Sequence, residues 1–124
     1  MIDHTGIGVA DVVVSGRFYD AVLGALGLRR AAQMPEGVGT DGIGYGLEYP
    51  RFWIDRFHPN SVRQHTAFIA RNPAEVDAFH RAGLLAGGRE NGAPGFRDKQ
   101  STPTYYAAFL LDPDGNNIEA VYRG

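Results

Sequence analysis

The chain has 124 residues, of which 44% are hydrophobic, with no cysteine and a formal net charge of −2. That length and apolar content suffice for one compact domain with its own core, and the missing cysteine excludes disulfides, cysteine-ligated zinc, iron–sulfur clusters and thiol nucleophiles. The near balance of 12 Lys plus Arg against 14 Asp plus Glu argues against a nucleic-acid footprint and favours a small-molecule or protein partner. No apolar run approaches the ~18 residues needed to span a bilayer, and no signal-like core opens the chain. A cytoplasmic protein without membrane partners is therefore expected.

Residues 2–10 alternate, with Ile7 and Val9 on one face and His4, Gly6 and Gly8 on the other, which is the period of a half-buried strand. Asp11 is a good helix N-cap, and Val14, Phe18, Val22 and Leu26 mark a helical stripe over 12–26. Three extended segments follow, near 28–34, 41–48 and 51–57. The stretch 58–64, with Pro59, Asn60 and Ser61, reads as a connector.

The pattern then begins again. Residues 65–70 alternate with Ala67 and Ile69 on the His65 face, and Asn72-Pro73-Ala74-Glu75 offers a cap, a first-turn proline and a glutamate able to reach back to the cap. Val76, Phe79 and Leu84 mark a helix over 73–86. Further segments lie near 88–93, 104–111 and 117–122, the last two joined by the turn-forming run Asp112-Pro113-Asp114-Gly115-Asn116. The Gly- and Pro-bearing stretch 92–103 reads as a loop over the cleft.

A shift of 61 positions superimposes His4-Thr5 on His65-Thr66, Phe18 on Phe79, Leu23 on Leu84 and Gly27 on Gly88, and places Asp11 on Asn72. Internal repetition on this scale marks a duplicated unit. The expected fold is α+β: one domain, 1–124, built from two βαβββ modules, 1–57 and 65–124, whose mixed sheets enclose a cleft. The helix stripes should cover the Thr faces of the sheets, leaving His4 and His65 on the open face.

His4 and His65 on the first strands, with Asp55 and Glu119 on the last, occupy corresponding ends of the two modules. Two imidazoles and two carboxylates suit a divalent first-row ion such as Zn, Ni, Mn, Co or Fe(II). His58 falls opposite Glu119 under the strict shift and rivals Asp55, but Pro59 beside it argues that it lies past the strand end. Trp53, on the parity of Asp55, and Tyr106 are candidate substrate contacts, while Arg56 and Arg97 could balance an anionic substrate. The competing readings are core packing for Trp53 and Tyr106, a solvated carboxylate for Glu119 and an arginine pair for Asp55.

The run His4-Thr5-Gly6-Ile7-Gly8-Val9-Ala10-Asp11, with Ser15, Phe18-Tyr19 and Leu23-Gly24, resembles the opening pattern of the vicinal oxygen chelate superfamily. That superfamily includes glyoxalase I, bleomycin-resistance proteins and extradiol dioxygenases. Ala107-Ala108-Phe109, Asp112 through Asn116 and Ile118-Glu119 resemble its closing pattern. The resemblance implies homodimers, a cleft formed within one chain or across two, and a metal held by His4, His65 and Glu119, with Asp55 where glyoxalase I has Glu. It implies a lyase or isomerase that chelates vicinal oxygens of a small carbonyl or enol substrate, with Glu119 moving the proton. An Fe(II) extradiol-type dioxygenase and a metal-free binder of the bleomycin-resistance type are the alternatives.

Overall fold

The computed structural model describes residues 1–37, 40–98, 100 and 103–124. Among them the chain forms β1 (Thr5–Gly8), α1 (Val12–Gly24), β2 (Arg29–Met34), β3 (Gly42–Gly46) and β4 (Pro50–Asp55), then β5 (His65–Ile69), α2 (Pro73–Leu85), β6 (Arg89–Phe96), β7 (Tyr106–Leu111) and β8 (Asn117–Tyr122). This is βαβββ twice. The strands make two four-stranded mixed sheets, β1-β4-β3-β2 and β5-β8-β7-β6. In each sheet the first strand runs parallel to the last, and the remaining pairs are antiparallel. No helix among the described residues is long and apolar enough to cross a membrane.

Both helices start where the caps predict. The Asp11 carboxylate accepts from the N–H groups of Val13 at 2.9 Å and Val14 at 3.1 Å, and the Asn72 side chain accepts from Glu75 N–H at 2.9 Å. These bonds satisfy donors that the first helical turn leaves without partners. Glu75 reaches back one residue further than a capping box requires, taking the N–H of Arg71 at 2.7 Å.

One continuous core joins the helices to the covered faces of both sheets. Phe18, Tyr19, Val22 and Leu23 of α1 and Val76 and Phe79 of α2 meet Ile43, Tyr45, Phe52 and Ile54 of the first sheet and Ala108, Leu110, Ile118 and Ala120 of the second. The buried arc is rotated from the expected stripes: Val14 is 44% and Leu84 42% exposed. The reason is that α1 packs against α2 as well as its own sheet, so the buried side centres on Tyr19 and Leu23. Gly83 takes the inner place beside Leu84. A Cβ there would fall 2.1 Å from Leu110 Cδ1 and 2.9 Å from Val22 Cγ1, so the glycine sets how closely α2 approaches β7 and α1.

The stretch 92–103 departs from the loop expectation. β6 runs through Gly92 and Pro94 to Phe96, with register shifts at Glu90/Gly92 and Gly92/Gly95 that absorb the irregular residues as bulges. Proline is tolerated because β6 is an edge strand. Lys99, Ser101 and Thr102 lie outside the described residues.

The 112–116 turn fastens the second module to the first. Buried Asp112 accepts from Tyr19 Oη at 2.6 Å, Asp114 N–H at 2.9 Å, Asn116 N–H at 2.8 Å and Asn116 Nδ2 at 3.1 Å. Asn116 also bonds the connector, giving Nδ2–H to Ser61 O and receiving Gln64 N–H. Burial and the Asp112 carboxylate hold the Tyr19 hydroxyl well above the usual phenol range, so it stays a donor. Tyr19→Phe removes one donor from a buried charged acceptor, a loss of about 1.5–3 kcal/mol; urea denaturation should show a lower midpoint with little change in slope.

Candidate functional site

The open face of the second sheet carries a connected polar cluster. In the β5–β8 ladder Ala67 stands opposite Glu119 and His65 opposite Asn117. His65 and Glu119 are therefore diagonal neighbours on one face, and the small Ala67 leaves room for the imidazole to lean across. His65 Nε2 lies 3.2 Å from Glu119 Oε1, and Tyr105 Oη donates to Glu119 Oε2 at 2.8 Å. Loss of hydration, then the bond to Glu119, raises the Tyr105 hydroxyl above its ordinary range; it serves as a proton-bearing donor. Glu119 is 4% exposed. The His65 ring stacks on Phe109 at 6.4 Å, and guanidinium groups cover the neighbouring rings, Arg97 over Phe109 at 5.1 Å and Arg123 over Tyr105 at 4.4 Å.

The corresponding face of the first sheet is different in character. A cavity of about 520 Å³ is lined by His4, Met34, Tyr49, Trp53, Phe57 and His58, among others. At one end His4 Nδ1 contacts Asp3 Oδ1 at 2.7 Å, and Tyr49 Oη donates to the same oxygen at 2.9 Å. Those two bonds hold the Asp3 carboxyl below its ordinary range. At the other end Asp55 accepts from the N–H groups of Phe57 at 3.0 Å and His58 at 3.1 Å and faces His58 Nδ1 at 3.0 Å. Asp55 thus closes the turn after β4.

Strand register decides which residue of β4 matches Glu119. Gly6, two residues after His4, stands opposite Trp53, whereas Ala67, two residues after His65, stands opposite Glu119. Trp53 therefore occupies the place of Glu119 in the first module, and Asp55 lies one same-face pair further along, opposite Gly8. His58 lies past the strand end, as Pro59 suggested. Arg56 pairs with Asp41 at 3.0 Å rather than with Asp55.

Tyr106 departs from its expected role. Its hydroxyl donates to Asp77 of α2 at 2.7 Å and its ring joins the core, on the helix-covered face. Tyr105 is the tyrosine that reaches Glu119. Alternation from Phe109, the direct partner of Glu119, through Ala107 to Tyr105 is the signal that distinguishes them.

Within one chain only two of the four expected ligands meet, His65 with Glu119; His4 and Asp55 bind other partners at opposite ends of the first-module cavity. Among the described residues no group of three or more His and carboxylate side chains gathers, and no strand of one sheet pairs with a strand of the other. The donor chemistry nevertheless suits a metal. Asp3 Oδ1 and Asn117 O, the latter 3.0 Å from His65 Nδ1, are acceptors only, so each Nδ1 donates its proton and each Nε2 is turned away from that anchor, the Nε2 of His65 toward Glu119. Such anchoring through the second nitrogen is the usual support of a metal-binding imidazole. Two donors each at about 2.0–2.2 Å from a shared ion stand roughly 3.0–3.5 Å apart, and the His65–Glu119 separation of 3.2 Å falls in that range.

Paired βαβββ modules with a histidine at or just before each first strand and an acidic residue on the last define a class of cleft proteins, and the sequence agrees with that class. Residues 1–120 match the model of the Glyoxalase/Bleomycin resistance protein/Dioxygenase superfamily, and the chain belongs to that family. A glyoxalase/bleomycin resistance protein from Albidiferax ferrireducens T118 is 35% identical, with 98% of each chain covered and a TM-score of 0.79. A family enzyme from Burkholderia phytofirmans PsJN shares the fold at 16% identity, with 99% of this chain and 98% of that chain covered and a TM-score of 0.71. A lactoylglutathione lyase from Agrobacterium tumefaciens shares it at 18% identity, with 98% and 92% covered and a TM-score of 0.63. No curated protein matches the chain in sequence.

The anchoring of the two imidazoles is directly measurable. Imidazole ¹⁵N shifts near neutral pH should show the neutral forms of His4 and His65 protonated at Nδ1. Asp3→Ala should return His4 to a tautomer mixture and leave His65 unchanged; an unchanged His4 would show that Asp3 does not orient it.

Proposed function

We propose that the protein is a metal-dependent enzyme that chelates vicinal oxygens of a small substrate, its ion held by His4 of one copy and by the partner's His65 and Glu119. The observation that carries this reading is the approach of His65 Nε2 to the buried Glu119 carboxylate, at 3.2 Å. With Nδ1 protonated by its bond to Asn117 O, that pair is stable only with a second proton on the ring or a cation shared between them. A bound first-row dication would supply Lewis acidity toward two substrate oxygens. Tyr105 would hold Glu119 in place, and Glu119 would take or return a proton beside them. With Trp53 at the fourth position, two His and one carboxylate leave several coordination places open. That set serves an isomerase, a lyase or an Fe(II) dioxygenase.

A homodimer supports completion of the site. The edge strands β1 and β5 flank an apolar cavity of about 820 Å³ lined by Ile2, Leu28, Leu47, Phe52, Phe68 and Ile69 among others. Ile69 is 83% and Leu47 62% exposed, an apolar surface of the kind that marks an interaction site. Light scattering at micromolar concentration should give the mass of two chains; a species of only 13.5 kDa would exclude the shared site.

Calorimetric titration with Ni(II), Zn(II) and Fe(II) tests the ligand set. Glu119→Ala should lose most affinity, whereas Asp55→Ala, whose carboxylate closes a turn, should change it little. Loss of an anchoring partner alone, as in Asp3→Ala, should lower affinity by about 10–100-fold. Circular dichroism should be alike with and without metal, because the core is built on the other face of each sheet. Equal binding by wild type and Glu119→Ala, or none in either, would remove the metal reading and leave a metal-free binding protein, a reading supported by the lack, among the described residues of one chain, of any gathered group of three His and carboxylate side chains.

A further inference from the structure

The first module's open face has a floor almost without side chains. Gly6 of β1 and Gly44 of β3 both stand opposite Trp53, and Gly42 stands opposite Asp55. A Cβ at Gly44 would fall 2.8 Å from both Cε2 and Cζ2 of Trp53 and 2.6 Å from Pro50 Cβ, and one at Gly6 would fall 3.0 Å from Trp53 Cβ. The indole therefore lies over the Gly44 backbone, and any larger residue there would lift it. Gly42 is different. A Cβ there would meet Asp55 Cβ at 3.5 Å and Phe57 Cε2 at 3.6 Å, which is ordinary contact. Packing does not require glycine at 42; its missing side chain only enlarges the cavity.

Around this floor stand Met34, Tyr49 and Phe57, large apolar side chains that remain 47%, 49% and 58% exposed. Among the described residues no lysine or arginine lines the cavity, and the one carboxylate that does, Asp55, is engaged by two N–H groups and the His58 ring. An anion would find no lysine or arginine among the described lining residues, and a cation would have to compete for Asp55 with the groups already bound to it. The volume of about 520 Å³ lies within the range of roughly 300–1,000 Å³ for small-molecule sites.

We propose that this slot recognises a flat, uncharged aromatic ring, with Trp53 as its stacking wall and the substrate oxygens directed toward the His4 end. The inference rests on the metal reading for the oxygens; recognition of the ring stands on the slot itself. Aromatic rings gain from stacking on indole beyond the area they bury, and an aliphatic dicarbonyl of similar oxygen geometry forgoes that gain. The site therefore selects for catechol-like over aliphatic substrates.

Trp53 is the sole tryptophan, so its emission reports the slot directly. Chelator-treated protein is titrated with phenol, catechol and hydroxyacetone, with equilibrium dialysis as a check independent of absorbance. Phenol and catechol should bind saturably and alter Trp53 emission, and hydroxyacetone should bind weaker by about tenfold or more. Gly42→Ala should weaken ring binding several-fold and Gly42→Val further, with circular dichroism verifying the fold. Equal affinity for ring and aliphatic compounds, or full ring affinity in Gly42→Ala, would overturn the slot. Ni(II) addition separates the two readings. A gain for catechol but not phenol supports both, whereas intact ring binding with no gain for catechol removes the metal and keeps the slot.

Discussion

The cleft depends on the register of two parallel ladders, β1 with β4 and β5 with β8. Because side chains alternate faces, a ladder fixes both which residues look away from the helices and which are neighbours there. In the second module the register sets Glu119 across from Ala67 and within reach of His65; in the first it sets Trp53 across from Gly6. A slip of one residue would bring Ile118 and Ile54 to the open faces and turn the polar groups into the core. The covered faces prevent this, since Ile54 and Ile118 are among the best-buried residues of the chain. Core packing thus holds the register, and the register places the site.

The same logic separates what the sequence disclosed from what it concealed. Both modules, both helix starts and the histidines on the open faces were legible, because alternation, helical periodicity and capping are local signals repeated at one interval. The partner of Glu119 was not. The interval from His65 to Glu119 is longer than that from His4 to Trp53 by five residues, and a shift without gaps cannot tell which connections absorb the difference. A carboxylate at 55 was chemically attractive, yet its position at the strand end makes it a turn acceptor. Tyr105 and Tyr106 pose the opposite difficulty. Adjacent identical residues on opposite faces are distinguished only by counting back from Phe109, whose facing of Glu119 required the β7–β8 ladder.

The modules share a backbone plan and have divided the chemistry. The second half carries His65, Glu119, Tyr105 and two ring-covering arginines, and the first carries a glycine floor, an indole and two imidazoles, each held by a carboxylate. A half with polar donors and a half with apolar contact are complementary only when they face each other. In a symmetric pair each copy would lend its first half to one site and its second half to the other, so two identical sites would arise from one duplicated chain.

What keeps these halves correctly oriented is remote from them. The Asp112 cluster ties the turn between β7 and β8 to Tyr19 of α1 and, through Asn116, to the connector before β5. It joins the second module's last strand, which carries Glu119, to the first module's helix, which covers the strand carrying Trp53. Buried charge with every donor supplied is costly to disturb, because removing one partner leaves the rest desolvated without compensation. The cluster therefore resists rotation of one module against the other, and the two open faces gain a fixed relation without contributing to the core. That separation lets the open faces carry glycine, a histidine–carboxylate pair and exposed aromatic rings, which a packed apolar interior would exclude.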